Sequence, residues 1–362
     1  VRLVATSNLE DGYVIAKNIL NDNGQILLSS GVSLTNSLIR RLEQINIPYV
    51  YIEDGRTDDI LVEDIVSEET RRKALSKVHT TMTTLFDSQK SKSKLASPTL
   101  AKEFNKLFDD IIKDLQSNKH VMYQMVNIHQ KDDYLYHHSV NVGILSSALG
   151  MSLGYNNSDI RELGIGAMLH DIGKTKVPME ILCKPDRLTT EEFDIMKKHA
   201  EYGYEILKSQ PGISLKSAHV AYQHHERYNG TGYPRQIQSQ DQHDFAKIVS
   251  ITDVYDALTS NRVYRASHLP HEAFELILGG GDYHFDHKII KKFVENIAIY
   301  PLGVTVKLNT GQIAVISRIN PSYPQRPVVR LLTDPNGKHL KIPYEIDLMS
   351  NFTIMIVSSS AG

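Results

Sequence analysis

Seven side chains stand out for the chemistry they can do: His138, the pair His170-Asp171, His199, the pair His224-His225, and Asp253. The steps from His138 to His170, His199 and His224 are 32, 29 and 25 residues, and His225 to Asp253 is 28. One helix with its connection in a bundle takes about that length, so successive groups can lie on successive helices and face one site. Five imidazoles and two carboxylates are too many donors for one tetrahedral zinc, and they lack the thiolates of a structural zinc site. Carboxylate and imidazole together suit iron, manganese or similar ions. A carboxylate can bridge two metals, and a pair about 3.5–4 Å apart serves in-line phosphoryl displacement. The run HHERYNGTGYP, His224 to Pro234, then leads from ligand-type residues into a loop whose glycines at 230 and 232 permit close approach to a ligand.

The elements that must position these groups read as a mainly α protein. Of 16 histidines, all but His79 and His339 fall between His120 and His287, and this clustering, rather than the count, points to a site. Residues from about 120 to 300 look almost wholly helical. A capping box, Thr189 with Glu192, is expected to open the helix containing His199. Upstream, residues 1–53 read as a small α/β domain with strands at Tyr13–Ala16, Ile26–Leu28 and Pro48–Ile52, and an amphipathic segment from Leu34 to Ile45. Residues 54–119 read as a helical connector. One helix spans Ile65–Phe86, the linker SQKSKSK (Ser88–Lys94) follows, and a second helix is capped at Ser97-Pro98. That second helix is read as packed on the catalytic domain in preference to a dimerising pair, with a homodimer left open. Residues 301–362 read as a small β-rich appendage packed on the bundle, with segments at Thr305–Leu308, Gln312–Ile316 and Val328–Leu332.

At 362 residues the chain calls for two or three domains. Apolar residues at 41% and charged residues at 23% give the balance of a folded protein, and a net charge of -2 provides no bulk field for a nucleic-acid polymer or an anionic membrane. No apolar run approaches the roughly 20 residues of a membrane span, and VRLVATSNLEDGY lacks a signal-peptide layout. The single cysteine, Cys183, excludes an intrachain disulfide and is read as a small packing residue in a cytoplasmic protein.

Taken together, LHDIGKTKVP, KKHAEYG, HHERYNGTGYP and ITDVYDALTSNRVYR resemble the HD-GYP family of metal-dependent phosphodiesterases over roughly residues 120–300. The resemblance implies an HD-type helical bundle with two divalent ions, iron or manganese, and a cyclic dinucleotide substrate. His138, in YHHSVNV, matches the first histidine ligand, and Asp171 the carboxylate between the metals with His170 beside it. His199, His224, His225 and Asp253 match the remaining ligands. Lys174 matches a lysine on the scissile phosphate, so that Asp171 and Lys174 form the catalytic pair. Tyr233 matches a tyrosine near the substrate, and Arg262 and Arg265 match basic positions that hold a second phosphate or a base. The implied reaction is attack of a metal-bridging hydroxide on phosphorus, opening cyclic di-GMP to pGpG, with a second step to GMP left open. Some members carry a carboxylate four residues before the first histidine and hold a third metal. Here that position is Tyr134, so two metals are expected.

Ordinary roles are assigned to the neighbours. His137 is read as solvent-facing or as a support to a ligand, Asp256 as a structural hydrogen-bond partner, Glu226 as orienting a histidine or exposed, and Phe285-Asp286 as structural. Two alternatives stand beside the main reading. One is a hydrolase of another cyclic dinucleotide, such as a hybrid of GMP and AMP. The other is a receptor that binds without turnover.

Overall fold

A computed structural model describes residues 1–91, 99–118, 134–260 and 270–360. In the N-terminal unit, β1 (Arg2–Ala5) precedes the hairpin of β2 (Ile19–Leu20) and β3 (Ile26–Leu28), followed by α1 (Asn36–Gln44) and β4 (Tyr49–Ile52). β1 pairs antiparallel with β4, and β2 with β3. The Thr35 hydroxyl accepts the Leu38 amide and caps α1, turning Ile39 and Leu42 onto a core with Val4, Ile15, Ile47 and Val50. The strand expected at Tyr13–Ala16 is reduced to isolated bridges at Val14 and Ile15, while β1 went unforeseen. Four residues give too little alternation to reveal a strand.

Two connector helices follow, α2 (Glu68–Ser91) and α3 (Leu100–Ser117). α2 runs into the first part of the expected linker, through Ser91, and Ser97-Pro98 lies outside the described residues. Thr99 precedes the first turn of α3 without a side-chain capping bond. Leu75, Val78 and Met82 of α2, with Phe104, Phe108 and Ile111 of α3, are fully buried in the same core as the downstream helices. Gly164 makes room for this packing, since a Cβ there would overlap the Phe108 ring.

The remaining helices are α4 (Tyr134–Ser152), α5 (Asn157–Met168), α6 (Met179–Leu182), α7 (Thr190–Lys197), α8 (His199–Lys208), α9 (Leu215–Gln223), α10 (Asp244–Thr259), α11 (Pro270–Gly279) and α12 (His287–Asn296), with a 3-10 turn at Ile172–Lys176. Every residue of α4 from His137 to Gly150 is buried, and α10 is buried along most of its length. Helices that are apolar all round occupy the middle of a bundle, and these two bring His138 and Asp253 inward. The Asp286 carboxylate caps α12 by accepting the Lys288 amide at 2.8 Å, and Phe285 packs on the core, as a structural pair would.

The C-terminal sheet is antiparallel, in the order β8-β7-β6-β5-β9: β5 (Thr305–Leu308), β6 (Ile313–Arg318), β7 (Val328–Thr333), β8 (His339–Asp347) and β9 (Ile356–Ser360). Its core of Val306, Ile316, Val329 and Leu331 takes in Leu3 and Tyr51, and the Leu3 amide donates to the Gly303 carbonyl at 2.9 Å. The appendage therefore packs on the N-terminal unit, and it also touches the bundle, where Ser359 Oγ lies 3.4 Å from His271 Nδ1. Among the described residues no helix is long and apolar enough to cross a membrane.

Candidate metal centre

Each ligand-type residue sits where a helix begins, ends or is wholly enclosed. His138 lies in the buried stretch of α4, and His170-Asp171 follows the end of α5. The capping box at Thr189 and Glu192 is present, but it opens α7, and His199 is the first residue of the next helix, α8. His224 closes α9, so that His225 already lies beyond the helix. Two adjacent helical side chains would diverge by about 100°. Here the helix stops, and the rings of His224 and His225 stand 4.0 Å apart. Gly173 brings the 3-10 turn against the start of α8, because a Cβ at 173 would overlap the His199 carbonyl and the Gly203 nitrogen. That close approach sets Asp171 beside His199.

The imidazoles are oriented by their Nδ1 atoms. His170 donates from Nδ1 to the Ala167 carbonyl at 2.7 Å, His199 to Met196 at 2.7 Å, and His224 to Ala221 at 3.0 Å. A carbonyl only accepts, so in each neutral ring the proton is on Nδ1 and the Nε2 lone pair faces inward. The Nε2 atoms of His199 and His224 stand 3.5 and 3.9 Å from Asp171 Oδ1, and His170 Nε2 is 3.3 Å from Asp171 Oδ2. His138 is held differently. Its Nδ1 is 2.7 Å from Asp256 Oδ2 and its Nε2 is 3.1 Å from Asp253 Oδ1. His225 Nδ1 lies 4.0 Å from Asp253 Oδ2.

Three overlapping sets of donor atoms each fall within 4.8 Å: Asp171, His199, His224 and His225; His138, His170 and Asp171; and His170, His224 and Asp253. Asp171 belongs to two of them. The donors fit a cation on their own chemistry. His170 Nε2 and Asp171 Oδ1 are buried without a hydrogen-bond partner, and the Nε2 atoms of His199 and His224, both acceptors, face each other at 3.4 Å. Such lone pairs are costly to bury unless a positive centre meets them.

Electrostatics hold His199, His224 and His225 neutral and both aspartates ionised, and His138 departs from this pattern. Burial pushes His199 down to about 4 and His224 to about 3, and holds His225 well below its ordinary range. Burial opposes the charge of Asp171, yet the Lys174 ammonium holds its carboxyl well below the usual value. Burial likewise works against Asp253, which the His138 hydrogen bond keeps ionised. For His138 itself burial lowers the pKa, and the hydrogen bonds of Asp253 and Asp256 overcome it, raising it to about 9.

Around the cluster, Lys174 Nζ donates to Asp171 Oδ2 at 2.6 Å. Tyr233 lies with its ring 4.6 Å from that of His225, and the Phe193 ring stands 6.2 Å from it on the outer side. Phe193 is exposed, and sequence reasoning did not single it out. Gly232 permits the fold-back of the loop, since a Cβ there would overlap Glu226 and the Arg227 nitrogen. Glu226 is buried, and its carboxylate accepts the amides of Arg235 at 2.7 Å and Ile237 at 3.2 Å. It thus secures the Gly-Tyr-Pro loop, a correction to the histidine-orienting or exposed role expected. His137 is buried, so the solvent-facing option is also corrected. Cys183 is exposed after α6, against the expected packing role. Asn141, three residues from His138 on α4, donates to Asp256 Oδ1 at 2.9 Å and was missed, although its spacing put it on the ligand face. Arg262, Arg265 and the side chain of Tyr134 lie outside the described residues.

Comparison with known proteins agrees with this geometry. Residues 120–289 match the HD domain family, and residues 305–362 match the KOW domain associated with HD domain. The chain is similar to cyclic di-GMP phosphodiesterase PA4108 of Pseudomonas aeruginosa, with 35% identity over 210 residues, 58% of this chain and 50% of that protein. It is also 35% identical over 166 residues to a cyclic di-GMP phosphodiesterase of Thermotoga maritima, 46% of this chain and 45% of that one. A third relative, cyclic di-GMP phosphodiesterase PdeB of Borreliella burgdorferi, is 33% identical over 201 residues, 56% of this chain and 52% of its own. The chain spans about half the length of the curated relatives it matches. The segment that matches the HD domain family thus carries the buried histidine-aspartate cluster on its helical bundle. The Gly232-Tyr233-Pro234 run lies beside that cluster, with the Tyr233 ring against His225.

Proposed function

We propose that this chain is a metal-dependent phosphodiesterase that opens cyclic di-GMP to linear pGpG and carries it on to GMP. The observation that carries the reading is the convergence of five histidines on Asp171 and Asp253, with Lys174 and Tyr233 at the rim. His138, His170, Asp171, His199, His224, His225 and Asp253 would hold two ions, iron or manganese. When bound, such ions supply a nucleophile at neutral pH and offset charge on the phosphoryl oxygens. The protein's own groups do the rest. Backbone carbonyls fix three imidazoles with Nε2 inward, and Asp256 fixes His138. The Lys174 ammonium, partly exposed beside Asp171, is placed to donate to a non-bridging phosphate oxygen. Burial raises the Tyr233 hydroxyl above its ordinary range, so it stays protonated and donates to substrate without repelling the phosphate. Arg262 and Arg265 would meet the second phosphate or a guanine.

We divide the chain into an N-terminal unit (1–53), a connector (54–119), the HD-GYP domain (120–300) and the β appendage (301–362), and assign the enzyme to the cytoplasm. The test is hydrolysis of cyclic di-GMP, cyclic di-AMP and the hybrid GMP-AMP ring side by side, with product identified by chromatography. Preferential conversion of cyclic di-GMP is expected. Faster conversion of the hybrid ring would reassign the substrate, and tight binding without product under iron and manganese would favour a receptor.

A further inference from the structure

One arginine from outside the segment matched to the HD domain reaches into the support of the metal cluster. Arg71 lies on the first turn of α2, and its Nη1 donates to Asn141 Oδ1 at 2.9 Å. Asn141 Nδ2 donates to Asp256 Oδ1 at 2.9 Å, and Asp256 Oδ2 meets His138 Nδ1 at 2.7 Å. Every link past Arg71 is buried, and Arg71 itself is 17% exposed at its side chain. The amide of Asn141 is oriented by its two partners. With Oδ1 taken by a guanidinium, which only donates, Nδ2 is the atom left to face the Asp256 carboxylate. The outer end is also braced, because Arg71 Nη2 pairs with Asp64 Oδ1 at 3.3 Å. The same turn of α2 is clamped by the N-terminal unit. Asn18 donates to both oxygens of Glu68 at 2.9 and 3.0 Å, and Arg72 Nε donates to the Gly24 carbonyl at 2.9 Å.

We propose that Arg71 is a positioning residue for the metal centre, fixing His138 through the hydrogen-bonded chain Arg71–Asn141–Asp256–His138. The inference rests on the metal-binding reading above. It concerns how the ligand is held, and it makes the seating of α2 on the N-terminal unit bear on the centre. Electrostatics provide a sign that separates this role from a general charge effect. Removing a cation near a divalent ion would by itself tighten metal binding, whereas loss of the chain loosens His138 and weakens it.

The test is the metal dissociation constant of the full chain, measured for manganese by competition with a chelator, alongside thermal unfolding of the metal-free protein. Arg71→Met is expected to weaken binding by about tenfold, the lower end for residues that orient a ligand. Lys73→Met, which removes an exposed charge two residues along the same helix, is expected to leave it within about twofold. The double variant Arg71→Met/Asn141→Ala should bind no worse than Asn141→Ala alone, since both break one chain. Unchanged or tighter binding by Arg71→Met, or additive losses in the double variant, would overturn the proposal. So would a fall in unfolding temperature with unaltered affinity, the mark of a merely structural residue. Should Asn141→Ala fail to fold, Arg71→Gln, expected to show the same weakening, carries the test. A wild-type chain that takes up no metal would instead overturn the proposed function itself, and this inference with it.

Discussion

Asp171 is a buried carboxylate kept ionised by Lys174 although its burial favours the neutral form. Asparagine at this position keeps the shape and removes the charge on which four histidines converge. Asp171→Asn is expected to cut turnover to below about one hundredth, on the scale of removing a group that stabilises a transition state. Far-UV circular dichroism should stay unchanged, and turnover near the wild-type rate in a verified variant would contradict the role. At this scale the sequence was most informative about the cluster, because five histidines and two aspartates at helix-length intervals have few structural explanations. It was least informative where burial decides. The charge of Glu226 suggests an exposed or histidine-facing group, yet two backbone amides of the Gly-Tyr-Pro loop take it inside. Cys183 follows an apolar run and still points to solvent, since α6 is only four residues long.

Single joints between elements set the geometry of the centre. Gly173→Ala would drive the 3-10 turn away from the start of α8, separating Asp171 from His199. A loss of about 3 kcal/mol in urea unfolding is expected, the upper part of the range for overpacking, and an undiminished midpoint would contradict the tight joint. A second joint is sensitive to pH. His243 caps α10 by accepting the Phe245 amide at Nδ1 at 3.1 Å, which requires the neutral ring, and burial lowers its pKa from the ordinary 6.5. A lowered folded pKa means that the contribution is present above about pH 6.5 and fades as the pH falls below it. His243→Ala should therefore cost about 1 kcal/mol at pH 8, as for loss of a helix cap, and progressively less toward pH 5. An equal cost at both pH values would rule out the neutral-cap account. The capping box at Thr189 was legible, but the helix it opens was not, because α7 and α8 meet at Lys198 without a glycine or proline to mark the break.

In the whole molecule, the connector is part of the core that supports the site. Phe108 is fully buried against α5, and Phe108→Ala is expected to destabilise the chain by about 3–5 kcal/mol, as for other aromatic deletions in a core. A loss below about 1 kcal/mol would mean that α3 is only loosely applied. The periodicity of α2 and α3 was plain in the sequence, whereas the C-terminal sheet was only partly so. β8 contains Pro343, which argues against a central strand, and the structure puts that strand at the edge of the sheet, where proline is tolerated. β9 ends in a run of serines with little strand character. The union of that sheet with Leu3 and Tyr51 joins the two ends of the described chain, and no local pattern announces so distant a contact.

A binuclear phosphodiesterase would need both its ions to turn over substrate. The most direct measurement is cyclic di-GMP hydrolysis by protein reconstituted anaerobically with iron or manganese, with metal content determined on the same sample. Release of pGpG and then GMP is expected, with about two ions per chain. No product at full metal loading, or a count of three ions, would contradict it.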